Sequence, residues 1–323
     1  MTSKEEYREL CQQESSIPLF SRDWWLDIVC GTDDWDVLLY KKNGRIEAAM
    51  PLYLPWHGVV SMPVYTQTMG PWIAPESEDT KYTHRLSRRQ EILQSFVGQL
   101  KGYTHFFQNF SYPITDWLPF YWDGYKQTTR YTYILDNIKL LTDNPDSVWE
   151  NMSQSIRRNI RKAQKQGIEI RSAIPIPDFL EVQCQTFQRQ GLRPVKTHIL
   201  EKLIRESLRR NQGRLWGAYD SYGNLHAAIF VVIQDSSAYY LAGGGNPRFR
   251  SSGAHSLALW QAIQDAAIYT DRFDFEGSML PGVERFFREF GAKQMPYFAI
   301  NKGNLSLYLR ACMKIKFIFK SLF

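Results

Sequence analysis

Tyr40–Met50 reads YKKNGRIEAAM and Tyr219–Ile229 reads YDSYGNLHAAI. A tyrosine, a turn glycine and an Ala-Ala pair recur in the same spacing, 179 residues apart. Glycine supplies the positive φ that tight hairpin turns need, so each stretch reads as strand, turn and strand. Further on, WDGYKQ at 122–127 answers EFGAKQ at 289–294, with Gly124 and Gly291 displaced by 167 residues. A connection twelve residues longer in the first copy accounts for the change. Between these anchors both halves run hairpin, short strand, amphipathic helix, strand, helix and final strand. Helices are expected near Arg85–Leu100 and Gly253–Tyr269, and strands near His105–Asn109 and Arg272–Glu276. Two ordered anchors within one element order imply an internal duplication. The chain is therefore expected to be α/β (α+β), with like domains at 1–135 and 136–300 and a basic amphipathic helix at 301–323.

Composition sets the outer limits. With 323 residues, 44% hydrophobic and 15% aromatic, the chain can bury two sizeable cores. The opening MTSKEEYRELCQQESS is polar and of mixed charge, and no uncharged apolar run reaches ~18 residues. A cytoplasmic protein is expected, without a membrane-spanning helix. Cys11, Cys30, Cys184 and Cys312 lie far apart, with no CxxC pair and no histidine at ligand spacing, so neither zinc nor any other metal is expected, nor a disulfide framework.

The net charge of +6 is concentrated. Residues 151–171 carry six basic side chains against Glu169, and residues 301–323 carry five and no acid. The remainder of the chain is thus net acidic. In the first segment Asn144 with Pro145 opens a short helix, Ser153 caps a second and Gly167 ends it. Met152, Ile156, Ile160 and Ala163 form its buried stripe, and Arg157, Arg161 and Lys165 its basic face. In the second segment, residues 305–323 put Ala311, Ile315, Ile318 and Leu322 on one side of a helix and Arg310, Lys314, Lys316 and Lys320 on the other. Such a helix can pack on the body or lie on an anionic membrane.

Chemistry concentrates in the second half. LAGGGNPRFRSSGAHSLALW ends a strand, turns through glycines and opens a helix, which directs backbone N–H groups and a positive dipole end toward an anion such as a pyrophosphate. Gly243, Gly244, Gly245 and Gly253 would equally serve a plain tight turn. Next, Asp274 and Glu276 alternate with Phe273 and Phe275, so on a strand both acids share one face. Crowded carboxylates hold one proton more tightly, and a base that can take a proton from an amine is what acyl transfer to nitrogen requires. The matching pieces of the first copy, ESEDTKYTHR and THFFQNF, lack the glycine and the acid. There, Tyr65, Gln67 and Trp72 follow the hairpin and are candidates for the acceptor side, while Trp72, Trp24 and Trp25 also suit a core. No GxSxG or other nucleophile signature appears, and of the six histidines only His255 sits in a candidate loop.

These pieces resemble known families. Arg250–His255 (RSSGAH) resembles the acetyltransferase phosphate loop, with His255 in a position that is small in the family. SIRRNIRKAQKQG, GGNPRFRSSGAHSLALW and DFEG followed by FFREFGA together resemble the Fem family of peptidoglycan-bridge aminoacyltransferases, over nearly the whole chain. The resemblance implies two tandem GNAT-like domains, each a mixed, mainly antiparallel sheet flanked by helices. It also implies an acyl thioester or aminoacyl ester donor and an amine acceptor, without a covalent enzyme intermediate. Fem-type enzymes tend to carry a lysine in an FKxxFG block, where this chain has Phe287 followed by Arg288, which turns the expectation from tRNA toward acyl-CoA.

The function expected is thus an N-acyltransferase. Asp274 and Glu276 would be catalytic, and Arg250, Ser251, Ser252, Gly253, Ala254 and His255 would hold acyl-CoA. Tyr65, Gln67, Trp72, Arg157, Arg158 and Arg288 would face the acceptor, an amine-bearing small molecule or a cell-wall precursor. Two other readings stand beside it: a tRNA-dependent aminoacyltransferase acting on a cell-wall precursor, and a non-catalytic protein that binds nucleic acid or an anionic membrane through the 157–165 face and the C-terminal helix, for which Asp274 and Glu276 would be replaceable. A peripheral contact at the inner membrane face would run through 305–323.

Overall fold

The computed structural model describes residues 2–77, 79–144, 146–189, 191, 196–234 and 236–303. The chain divides into two compact units, one of Met1–Arg130 with the segment beginning at Pro296, the other of Tyr131–Met295. The helix expected at 305–323 lies outside the described residues, and Asn301 and Lys302, placed in that helix from the sequence, still belong to a strand.

Unit 1 begins with helices α1 (Ser3–Gln13) and α2 (Asp23–Val29). Its hairpin joins β1 (Trp35–Lys42) to β2 (Arg45–Trp56) through Asn43 and Gly44, at φ 51° and 76°. Two consecutive left-handed residues make the turn whose twist suits an antiparallel pair. Then follow β3 (Val59–Ser61), β4 (Trp72–Ile73), α3 (Tyr82–Gln99), β5 (His105–Asn109), α4 (Leu118–Trp122) and β6 (Lys126–Asp136). Ala48, Met50 and Leu52 alternate along β2, and with Phe106 and Phe110 they pack on Ile92, Leu93, Phe96 and Val97 of α3. Period two thus meets period 3.6 in one core. Trp24, Trp25 and Trp72 are buried.

Unit 2 contains α5 (Leu140–Asp143), α6 (Asp146–Trp149), α7 (Gln154–Lys165), β7 (Glu169–Ser172), α8 (Ile176–Arg189), α9 (Thr197–Arg209), β8 (Gly213–Tyr219), β9 (Leu225–Gln234), β10 (Ser237–Gly245), α10 (Ala254–Ala267), β11 (Arg272–Asp274), α11 (Pro281–Arg288) and the start of β12 (Lys293–Lys302). Its sheet is mixed. β7, β8, β9 and β10 are antiparallel neighbours, β10 and β11 run parallel, and β11 pairs antiparallel with Ile134–Asp136 of β6. The α7 and α10 helices cover one face, and α8 and α9 pack against β8–β10. β9 is therefore buried on both faces, which explains its unbroken apolar run.

Both copies follow the expected element order, and β5 has the expected bounds. Two features differ. The second hairpin turns through five residues, Asp220 to Asn224, whose Asp220 carboxylate accepts from the Tyr222 and Asn224 amides. The final strands also divide unexpectedly: Ala299–Lys302 of β12 pairs with β5 in unit 1, while β6 of the first copy supplies the strand beside β11 in unit 2.

α7 is built as its sequence implies. Ser153 Oγ accepts from the Ile156 amide at 3.2 Å, and Met152, Ile156, Ile160 and Ala163 are all at most 2% exposed. Ile160→Ala is expected to lower unfolding free energy by about 2–5 kcal/mol, transfer and cavity terms together. Urea melts would read this as a lower midpoint at constant slope, and a loss under ~1 kcal/mol would contradict the packing described.

Candidate functional site

β9 pairs with β10 as far as Gly245, but β11 follows β10 only over Ser237–Tyr239. A register shift between Tyr240 and Ala242 marks a bulge at the point of parting. Past Tyr239, the β11-facing edge of β10 has no strand partner among the described residues. An opening at the carboxyl ends of two parallel strands, where backbone N–H and C=O groups face outward, is a natural ligand crevice.

The glycines expected to form a turn instead lie in β10, because they are closely covered. A Cβ on Gly243 would stand 2.1 Å from the Tyr240 hydroxyl, and one on Gly244 would stand 2.8 Å from the Val182 carbonyl. Thr186 Oγ1 accepts from the Gly245 amide at 2.9 Å. The chain then passes a short 3-10 segment, Pro247–Ser252, to Gly253 at the head of α10. Gly253 is required twice, by its φ of 79° and because a Cβ there would meet the Asn159 carbonyl of α7 at 2.2 Å.

The loop residues proposed for an anion are placed unevenly. Arg250 and Ser251 are exposed and Ser252 is buried. The Ala254 amide, assigned from sequence to a ligand, donates to Ser252 Oγ at 3.2 Å and is already satisfied. His255 Nε2 lies 3.1 Å from the Tyr240 hydroxyl, and its ring stands edge-on to Phe286. Burial raises the Tyr240 phenol's pKa, so its proton is retained at neutral pH.

Asp274 and Glu276 do not alternate along one strand as expected. β11 stops at Asp274, and Glu276 lies beyond it in the left-handed region at φ 58°, followed by Gly277 at 56°. Asp274 Oδ1 accepts from Thr132 Oγ1 at 2.5 Å and from the Glu276 amide at 2.8 Å. It therefore fixes the turn that carries Glu276. Asp274 is fully buried; desolvation pushes its pKa up to about 6 against the pull of Thr132 and the Glu276 amide. Glu276 is pushed well above the carboxylate range, first by desolvation and then by Asp274. The residue keeps some exposure, yet its Oε1 is sealed and has no hydrogen-bond partner, as is Asp274 Oδ2. A left-handed glutamate costs ~1–3 kcal/mol and is held by its surroundings. Strain together with a carboxyl oxygen that lacks a partner makes Glu276 a candidate functional position.

The other candidates are scattered. Arg288 is paired with Glu284 at 2.8 Å, and Glu284 also accepts from the Tyr133 hydroxyl. Arg157 is half-buried and Arg158 exposed on α7. In unit 1, Tyr65 is left-handed at φ 53° and Gln67 is buried with Nε2 unpaired. Trp72 is a core residue whose Nε1 donates to Ser16 Oγ at 3.0 Å. Sequence reasoning missed Thr132, which lies 142 residues from the acid it holds. It also missed Tyr240, whose position three residues ahead of the glycine run was a usable signal.

Residues 150–288 match the family described as Acetyltransferase (GNAT) domain. The match takes in the β10–β11 opening, the head of α10 and both acids. Solved structures extend the likeness of fold across the chain. FemX is similar at 13% identity and a TM-score of 0.65, covering 92% of this chain and 96% of its own. L-PGS from Bacillus licheniformis is similar at 13% identity and 0.54, covering 96% and 95%. A conserved protein of unknown function from Bacteroides thetaiotaomicron VPI-5482 is similar at 12% and 0.53, covering 92% and 97%. Among curated proteins no sequence matches this one. No described helix is long and apolar enough to cross a membrane.

Two glycine substitutions separate the roles of backbone space in the matched stretch. Gly253→Ala is expected to destabilise by about 1–3 kcal/mol through overpacking against α7. Gly282→Ala, where a Cβ meets nothing within 4 Å on a helix, is expected to stabilise by about 0.5–1 kcal/mol. Thermal melts of both variants check this; equal shifts would contradict it.

Proposed function

We propose that the chain is an N-acyltransferase that moves an acyl group from an acyl-CoA thioester to an amine, with the donor along the open edge of β10. The observation that carries this reading is the Glu276 carboxyl, whose Oε1 is sealed and unpaired, two residues past the Tyr239–Asp274 pair where that edge begins. The amine nitrogen attacks the thioester carbonyl, and its proton passes to Glu276. The C–S bond then breaks, and the thiolate leaves and is protonated. Asp274 positions the base without touching the substrate. Tyr240 and His255 adjoin the same edge, and the amides at the head of α10 other than that of Ala254 would face the donor's diphosphate, with Arg250 and Ser251 beside them. The acceptor would be an amine-bearing small molecule or a cell-wall precursor, met by Arg157 or Arg158; Arg288 would first have to leave Glu284. The test is release of free CoA thiol from acetyl-CoA over a panel of amines, and thiol release no faster than in buffer would count against the reading.

A second reading takes the donor to be aminoacyl-tRNA, as in the Fem family that the sequence resembles. The fold likeness to FemX over nearly the whole chain favours it. Consumption of charged tRNA in place of acetyl-CoA would select it.

A further inference from the structure

The duplicated hairpins share a backbone bond. The Glu47 carbonyl accepts from the Ala74 amide at 2.9 Å, and the carbonyl of its counterpart His226, 179 residues on, accepts from the Asn246 amide at 2.8 Å. In each copy the hairpin's return strand thus holds the start of the segment that leads to the long helix, α3 or α10. The side chains at this position do different work. Glu47 pairs with Arg88 of α3 at 3.0 Å, and Arg88 pairs with Glu76 of the leading segment at 2.8 Å, so the first copy's arginine is neutralised twice. In the second copy the His226 ring stacks flat on Phe249 of the leading segment, with centroids 4.0 Å and planes 4° apart. His226 Nε2 donates to Asp220 Oδ2 at 3.2 Å, and Asp220 is itself fixed by the Tyr222 and Asn224 amides. Arg248 and Arg250, on either side of Phe249, are exposed and have no ion pair among the described residues.

His226 is 7% exposed, and its Nδ1 is sealed without a partner. An unpaired ring nitrogen inside a protein costs stability, so an apolar residue would serve plain packing better. What imidazole adds is a flat ring whose plane a carboxylate fixes from behind. Phe249 answers it with a backbone, φ −114° and ψ 17°, that departs from the 3-10 segment around it. We infer that His226, oriented by Asp220, is a positioning residue for the acyl donor: through Phe249 it holds the Pro247–Ser252 segment so that Arg248 and Arg250 meet the donor's diphosphate. The first copy ties the same position down with ion pairs and keeps no arginine there for a ligand; the second ties it down with a neutral stack and keeps two. A segment already ordered before binding loses less entropy when its arginines close on an anion. The inference rests on the donor reading given above.

Calorimetric titration of the full chain with coenzyme A tests it, together with steady-state rates on acetyl-CoA. His226→Ala and Phe249→Ala are each expected to weaken coenzyme A binding about tenfold, and the double variant no more than either alone, because both remove one contact. His226→Phe keeps a flat ring without the bond to Asp220 and is expected to recover to within about threefold of wild type. In turnover the loss is expected in KM, with kcat held within about twofold. Tyr222→Ala, on the same hairpin and 89% exposed, is expected to change neither. Hydrogen exchange of the 248–252 amides without ligand is expected to quicken about tenfold in His226→Ala. Equal coenzyme A binding by wild type and His226→Ala, effects that add in the double variant, or unchanged exchange overturns the inference while leaving the donor reading in place. Wild type that binds no coenzyme A overturns the donor reading, and this role with it.

Discussion

Glu276→Gln is expected to lower the rate of acyl transfer by about 10²–10⁴-fold while leaving coenzyme A affinity within a few-fold of wild type. Glutamine keeps the volume of glutamate and, at φ 58°, inherits the same backbone strain. The turn is held by the Glu276 amide on Asp274, which the substitution does not touch. The change therefore isolates the side chain's ability to accept a proton. Because burial and Asp274 raise the Glu276 pKa, the wild-type rate should climb with pH as the carboxyl ionises, above the ordinary carboxylate range. That limb should disappear in the variant. Equal rates in variant and wild type would remove Glu276 from the chemistry.

The second large effect is on stability. Asp274 has a folded pKa of about 6 against an ordinary value of 3.8, so the folded state binds more protons than the unfolded state between those values. Folding stability is thus favoured below pH ~4 and is lost as pH rises toward 6, by up to ~3 kcal/mol for a shift of about two units in a fully buried group. Glu276 adds a loss of the same sign. Glu206 and Asp220, depressed to about 2, act in the opposite sense as pH falls below their unfolded values, in wild type and variant alike, so the difference between the two proteins carries the test. Asp274→Asn keeps an oxygen for Thr132 and for the Glu276 amide and removes the titration. Urea midpoints between pH 4 and 7 are expected to fall for wild type and to fall clearly less for the variant. Parallel curves would show that Asp274 does not titrate in this range.

Much of this was legible because local rules and the core agreed. Ser153 caps α7 and the Met152–Ala163 stripe is buried, since capping and period 3.6 act within one helix. The hairpins were legible from Gly44 and Gly223, and the β5 bounds from a short apolar run between turns. What escaped depends on distant pieces of chain. Nothing near Asp274 indicates that Thr132 will hold it, or that a glutamate will be forced into a left-handed turn and end β11 early. Gly243–Gly245 resembled a turn, because glycine serves bends and close approach alike; here the Val182 carbonyl and the Tyr240 ring decide. The assignment of β12 to β5 and β6 to β11 escaped for the same reason, since alternating strands carry little information about which edge they will complete.

The central claim is that the open edge of β10 and the head of α10 bind an acyl-CoA donor beside Glu276. Crystals grown with acetyl-CoA test it most directly. The account predicts the diphosphate at the start of α10 near Gly253 and the thioester carbonyl within reach of the Glu276 carboxyl. A crevice that stays empty at millimolar acetyl-CoA, or a donor bound away from Glu276, would contradict it.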